Sequence, residues 1–120
     1  MLEIFTEEKL NDIIYAYLAK LKDKVSLDKV ILFGSYAKGT ATELSDIDVL
    51  IISSDLSEDK PKGMNGYYLD TLVGDFDPSL EVIGINPRKL KNPVEKGFFE
   101  EIINTGKVIV LKDIAKDKAA

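Results

Sequence analysis

The sequence of 120 residues contains no cysteine, no histidine and no tryptophan. Without cysteine the chain cannot form disulfides, thiolate zinc sites or iron–sulfur clusters, and it has no thiol nucleophile. Without histidine it has no imidazole general base, no Ser-His-Asp triad and no histidine-ligated zinc. Any acid–base or metal chemistry must therefore use carboxylates, lysine, tyrosine or hydroxyl groups.

Arginine is also scarce, and acidic residues outnumber basic ones. The chain has 16 Lys and Arg against 21 Asp and Glu, a net charge of -5, and Arg88 is the only arginine. This balance argues against broad electrostatic capture of nucleic acid or of an anionic membrane. No apolar run reaches the roughly 18 residues of a membrane-spanning helix, and the acidic N-terminus is unlike a signal peptide. We expect a cytoplasmic protein with no membrane partner and no clear nucleic-acid binding.

The apolar pattern predicts helices and strands in alternation. A helix over residues 7–24 is indicated by Thr6 as a cap and by apolar residues at helical spacing. A second helix starts at Pro93 and ends before Gly106. Continuous apolar runs predict buried strands at residues 30–33, 47–52 and 80–85, with a last short strand at 108–111.

The remaining segments are less regular. Residues 53–66 are polar, with one proline and two glycines, and are predicted as loop, while residues 67–73 fit either a helix or a strand. A short helix is expected after Gly34. The sequence therefore predicts an α/β domain with one sheet and helices packed against it. We expect a single domain over residues 1–120, in which 113–120 form a frayed tail.

Gly34 and Ser35 directly follow the first predicted strand. A glycine here allows an anion to approach the backbone, and a serine hydroxyl with the free N–H groups of a helix start can bind that anion. A simple strand-to-helix turn with a serine cap explains the pair equally well, and for Gly-Ser alone it is the better explanation.

Asp46 and Asp48 open the second strand. Because they are two residues apart, both carboxylates project from the same face. Adjacent acids repel each other unless a cation or a donor neutralises them, and hard oxygen ligands at this spacing suit Mg²⁺ bound to substrate phosphates. The alternative is a strand end at which both aspartates are hydrated.

Glu81 lies inside the third apolar run. A carboxylate there is unusual unless it is paired or bound to metal. If this strand neighbours the one that carries Asp46 and Asp48, three acids converge, and one of them could polarise an attacking hydroxyl. Asp75 and Asp77 are rival third acids, and the alternative for Glu81 is an edge-strand residue that faces water.

Together, Gly34-Ser35, ten intervening residues and Asp46-x-Asp48 resemble the signature of the nucleotidyltransferase fold of the DNA polymerase β superfamily. The resemblance is closest to the minimal nucleotidyltransferases, which often work beside a separate HEPN-domain protein. It implies one mixed sheet of about four strands with helices packed against it. By position, it also implies that Gly34 and Ser35 hold a nucleoside triphosphate.

The resemblance assigns the acids as well. Asp46 and Asp48 would ligate Mg²⁺, two ions in all, and Glu81 would be the third metal-binding carboxylate, acting on the acceptor hydroxyl. Ser45 precedes the acids in the same signature and is counted with the nucleotide-binding residues. Lys38 stands where the family commonly has arginine, so it keeps the charge but loses the planar fork.

Tyr36 either lines the nucleotide pocket or simply packs against neighbouring side chains.

The activity that the resemblance implies is transfer of a nucleoside monophosphate to a hydroxyl with release of pyrophosphate. AMP from ATP is the favoured form. A HEPN-type toxin partner is a plausible acceptor, as in two-gene toxin–antitoxin pairs. The alternative is a non-catalytic nucleotide- and metal-binding module that docks to a partner through aromatic residues such as Tyr67, Tyr68 and Phe98, although core packing is the expected role of these residues. A third reading is a small α/β domain with solvated acids.

Overall fold

The first helix, α1, spans Glu7–Leu21 in the computed structural model, which describes residues 4–111. Thr6 caps this helix, because its Oγ1 accepts a hydrogen bond of 3.2 Å from the Lys9 N–H. Every apolar residue of the predicted stripe is buried. The helix ends at Leu21 rather than at residue 24, since the chain turns there to reach the first strand.

The other elements follow in the predicted order. They are β1 (Lys29–Phe33), α2 (Ser35–Lys38), β2 (Ile47–Ile52), α3 (Lys62–Val73), β3 (Leu80–Ile85), a 3-10 helix (Pro87–Lys91), α4 (Pro93–Thr105) and β4 (Lys107–Val108). The bounds of β2 and β3 agree with the prediction, whereas β4 starts one residue earlier and is shorter than the predicted strand at 108–111. The tail predicted at 113–120 lies outside the described residues.

The loop predicted over residues 53–66 is wrong in its last part, because α3 starts at Lys62. This helix also settles the open choice for residues 67–73. Pro61 gives it no side-chain cap, and Gly63 and Gly66 lower its intrinsic helix propensity. Packing against β3, described below, therefore stabilises α3 more than its own sequence does.

The four strands form one mixed sheet in the order β3-β2-β1-β4. β1 is antiparallel to both of its neighbours, β2 and β4. β2 and β3 are parallel, in a register that pairs Ile47 with Leu80 and Asp48 with Glu81. The predicted fold class is confirmed.

Helices cover both faces of this sheet. Successive side chains along a strand point to opposite faces of the sheet, so neighbouring residues belong to two different cores. The larger core packs under α1 and α3 and includes Val30, Leu32, Val49, Ile51 and Val82. The smaller core packs under α4 and includes Ile31, Leu50, Ile52, Ile85 and Phe99. Asp48 and Glu81 alternate in step with the smaller core, so they belong to the α4 face.

Helix α3 covers the outer edge of β3. The Asn65 Nδ2 donates to the Gly84 carbonyl at 3.5 Å. Gly66 lies so close to the Val82 carbonyl oxygen that a Cβ on this glycine would overlap it. Helix α3 therefore covers two backbone carbonyls of β3, a strand at the edge of the sheet.

A partly buried hydrogen bond joins α1 to α3. The Tyr17 hydroxyl donates to Asp70 Oδ1 at 2.6 Å, and the Tyr17 ring meets Phe76 edge-on with 5.3 Å between ring centres. Burial is the main cause that raises the pKa of Tyr17, with the Asp70 carboxyl adding to it. Tyr17 therefore stays protonated and remains a donor.

None of the helices within residues 4–111 combines the length and the apolar character of a membrane span.

Candidate active site

Three carboxylates lie at one end of the α4 face. Asp48 and Glu81 are register partners on the parallel strands β2 and β3, and Asp46 stands one residue before β2 begins. Asp48 is half-buried, whereas Asp46 and Glu81 are exposed. The sequence predicted that these three acids converge if their strands are neighbours. The two strands are neighbours in the structure, and the three acids lie together.

Electrostatic repulsion in this group is concentrated on Asp48. Burial, followed by the charges of Glu81 and Asp46, raises the pKa of the Asp48 carboxyl to about 6. The ion pairs among residues 4–111 do not include any of the three acids. The site therefore holds negative charge that no basic side chain in the described part of the chain neutralises.

Gly34 places the turn after β1 directly against Asp48. Its backbone has φ 76° and ψ -157°, a region that is essentially restricted to glycine. A Cβ at this position would overlap Oδ2 of Asp48 and lie 3.1 Å from its Cγ. Both the conformation and the contact therefore require glycine.

The helix predicted after Gly34 is a single turn, Ser35–Lys38. The Lys38 N–H donates to the Gly34 carbonyl at 3.1 Å, and the Thr40 N–H donates to the Ser35 carbonyl at 3.0 Å. The N–H groups at the start of such a turn have no acceptor within it. Ser35, which opens the turn, is partly exposed.

Ser45 fastens the loop that leads into Asp46. Its Oγ accepts a hydrogen bond of 2.8 Å from the Thr42 N–H, and its own N–H donates to the Thr42 carbonyl at 3.0 Å. This contact fixes the approach of the chain to β2. Sequence reasoning missed Thr42, whose Oγ1 accepts a hydrogen bond of 3.3 Å from the Leu44 N–H in a turn of the kind that threonine hydroxyls form.

Tyr36 and Lys38 lie on opposite sides of the turn. The Tyr36 ring packs with its centre 6.1 Å from that of Phe5, and its hydroxyl accepts a hydrogen bond of 3.1 Å from the Phe5 N–H. Of the two roles left open for Tyr36, the structure shows packing against the larger core. The Lys38 Nζ lies 3.7 Å from Oε1 of Glu101 on α4.

A cleft of about 120 Å³ separates the α2 turn from α4. Phe33, Gly34 and Lys38 line one side, and Glu101, Ile102 and Thr105 line the other. No pattern in the sequence indicated that α4 contributes to the site, because the approach of α4 to α2 depends on packing between distant segments.

The rival acids Asp75 and Asp77 lie elsewhere. Both line a different cleft, beside α1. The Asp77 Oδ1 accepts a hydrogen bond of 2.8 Å from the Ser79 N–H, and the Asp75 carbonyl accepts one of 2.6 Å from the Lys20 Nζ. Of the three candidates, Glu81 is therefore the one placed beside Asp48.

The acids fit magnesium with substrate phosphates rather than a closed cage. Residues 4–111 contain no group of three or more acidic side chains arranged to enclose a metal ion by themselves. Mg²⁺ does not need such a group, because it keeps several waters and binds through one or two carboxylates together with phosphate oxygens. A cation between Asp46 and Asp48 would also relieve the repulsion that, after burial, raises the pKa of Asp48.

Comparison with known proteins decides the family. The model of the nucleotidyltransferase domain matches residues 14–115, a range that includes every residue of this site. The chain belongs to the nucleotidyltransferase domain family. The enzyme class predicted from the sequence is therefore confirmed.

Curated relatives of this nucleotidyltransferase include archaeal proteins. "Putative protein adenylyltransferase MJ1305" of Methanocaldococcus jannaschii is 37% identical over 89 residues, which cover 70% of this chain and 60% of that relative. This chain therefore spans less than two thirds of that relative's length. "Putative protein adenylyltransferase MJ1379" of the same organism is 32% identical, with 80% and 93% covered. "Protein adenylyltransferase MntA" of Thermococcus cleftensis is 26% identical, with 83% and 96% covered.

The solved structures that match this chain are more distant in sequence. One is a crystal structure of a "putative nucleotidyltransferase" from Sulfolobus solfataricus, with a TM-score of 0.47, 19% identity and coverage of 70% of this chain and 76% of that one. Another is a toxin–antitoxin crystal structure with AMP-PNP, with a TM-score of 0.49, 19% identity and coverage of 83% and 76%.

Proposed function

We propose that this nucleotidyltransferase transfers AMP from ATP to a hydroxyl group of a protein. The observation that supports this most is the register of the parallel strands, which sets Glu81 beside Asp48. Asp48 in turn lies two residues after Asp46 and packs against Gly34. A nucleotidyl transfer needs positioned phosphates and neutralised charge more than it needs a strong base. The absence of histidine is therefore no obstacle.

Five of the site residues receive a role in this proposal. Asp46 and Asp48 hold Mg²⁺, which would supply charge neutralisation at the phosphates when bound. The acceptor oxygen forms a bond to the α-phosphorus while the bond from that phosphorus to the bridging oxygen breaks. Pyrophosphate leaves, and the proton of the hydroxyl goes to Glu81. Gly34 and Ser35 bind the triphosphate through the α2 turn.

The choice of ATP and of a protein acceptor is supported by the curated relatives, which carry the name protein adenylyltransferase. A HEPN-domain protein is the proposed acceptor because the signature resembles the minimal nucleotidyltransferases. The second Mg²⁺ ion remains a prediction.

Activity measurements test this proposal. The purified protein is incubated with Mg²⁺, the protein encoded by the neighbouring gene, and ATP, GTP, CTP or UTP in turn. Pyrophosphate release is measured together with nucleotide transfer to that protein. We expect Mg²⁺-dependent turnover with ATP that falls at least about 100-fold in Asp46→Asn and in Asp48→Asn, since each loses a carboxylate that stabilises transition-state charge.

Asp75→Asn is the matched control, because it removes an equal charge from an acid outside the site. Turnover that survives both site variants would refute the proposal. A docking function is the second candidate, and one observation favours it: Tyr67, Tyr68 and Phe98 are 68%, 47% and 52% exposed instead of lying in the core. A stable complex without turnover, unaffected by Asp46→Asn, would support that candidate.

A further inference from the structure

The acidic side chain of Glu101 faces the lysine side chain of Lys38 across the cleft between α2 and α4. Glu101 Oε1 lies 3.7 Å from the Lys38 Nζ. Both residues line the cleft together with Gly34, which itself lies against Asp48. Lys38 therefore belongs to the turn proposed to bind the triphosphate and also contacts α4, a helix that the signature does not include.

This ion pair is weak and easily exchanged. The side chains of Lys38 and Glu101 are 55% and 74% exposed, and ion pairs between exposed side chains contribute little because water and salt screen them. A triphosphate carries several negative charges, so it can displace a single carboxylate from a lysine. The pair can therefore break when a nucleotide binds and form again when pyrophosphate leaves.

We propose that Glu101 is a positioning residue that competes with the triphosphate for Lys38 and so sets the affinity for the nucleotide. This inference rests on the proposed function, because it assumes that the nucleotide binds at the α2 turn. While the site is free, Glu101 holds Lys38 at the mouth of the cleft. Its charge opposes phosphate binding, and the same opposition favours release of pyrophosphate.

The inference predicts tighter binding when the charge of Glu101 is removed. In Glu101→Gln, we expect the Kd for Mg²⁺-ATP, measured calorimetrically without an acceptor, to fall about two- to fivefold at low salt. The decrease should shrink as the salt concentration rises. Pyrophosphate with Mg²⁺ should show the same gain, because it contains the phosphates without base or ribose.

Glu100→Gln is the matched control, because Glu100 is the neighbouring residue on α4 and lines a different cleft. It changes the net charge equally, so it reports the general electrostatic effect. The variant Lys38→Gln with Glu101→Gln tests whether Glu101 acts through Lys38. In that background the effect of Glu101→Gln should fall to that of Glu100→Gln.

The outcomes separate this inference from the proposed function. If native protein binds Mg²⁺-ATP and Glu101→Gln behaves as Glu100→Gln does, or binds more weakly, the competition is refuted and the proposed function stands. An undiminished gain without Lys38 would also refute it. If native protein binds no nucleotide, the proposed function fails and this inference fails with it.

Discussion

At the scale of single residues, the Asp48 carboxyl is where stability and chemistry oppose each other. Its pKa is raised from 3.8 to about 6, chiefly by burial and then by Glu81 and Asp46. A carboxyl whose pKa is higher in the folded state favours folding while it is protonated. That contribution is complete below the unfolded pKa and is lost as the pH rises through the folded pKa. Asp48 therefore destabilises the metal-free protein at neutral pH.

Replacing Asp48 with asparagine should reveal this effect. In metal-free buffer at pH 7, we expect Asp48→Asn to raise the free energy of unfolding by about 1–2 kcal/mol, after allowance for solvent screening of a half-buried group. At pH 4 the gain should be small, because the carboxyl is then protonated in the folded state. Urea denaturation at both pH values measures the difference, and an equal gain at both would contradict the raised pKa of Asp48.

Residue spacing made part of this site predictable. Because Asp46 and Asp48 are two apart on a strand, they share a face, and a glycine after a buried strand indicated a close approach to the backbone. The register that pairs Asp48 with Glu81 and the contact of Lys38 with Glu101 could not be predicted, since both depend on segments that are distant in the sequence.

At the scale of helices and strands, α3 shows how packing overrides local preference. Polar residues, Pro61 and two glycines led to the loop prediction for residues 53–66, yet the chain is helical from Lys62. One of those glycines is the reason. Gly66 lets the helix lie against the Val82 carbonyl of β3, and the strand edge then orders the first turns of α3.

Two glycine substitutions on this one helix should have opposite effects. Gly66→Ala places a Cβ into the Val82 carbonyl and should lower the free energy of unfolding by about 1–3 kcal/mol through overpacking. A Cβ added at Gly63 would meet nothing within 4 Å, so Gly63→Ala should raise that free energy by about 0.5–1 kcal/mol through helix propensity. Thermal or urea unfolding compares the two, and stabilisation by both variants would show that α3 does not lie tightly against β3.

At the scale of the whole molecule, the site lies at the end of the smaller core, where α4 leaves part of its sheet face uncovered. Ligand binding there should stabilise the entire fold by mass action. At 100 times its Kd, Mg²⁺-ATP should contribute about 2.7 kcal/mol, which corresponds to a rise in Tm of about 10 °C for a chain of this size. Differential scanning fluorimetry measures this shift.

The double variant Asp46→Asn with Asp48→Asn is the comparison for this shift. It should show no rise in Tm with Mg²⁺-ATP, even though its starting Tm exceeds that of the native protein. A full shift in the double variant would place nucleotide binding away from these acids.

The cytoplasmic location and the single-domain boundary stay predictions, because neither follows from packing within residues 4–111.

The cover that α3 gives to β3 limits how copies of this sheet can join. Within residues 4–111, β4 pairs only with β1, so the strand ladder has one open end. Polymerisation of a sheet requires two open ends, one to receive a chain and one to offer. Among the strands of residues 4–111, edge-to-edge association is therefore expected at β4 and not at β3, which would limit it to a pair of molecules.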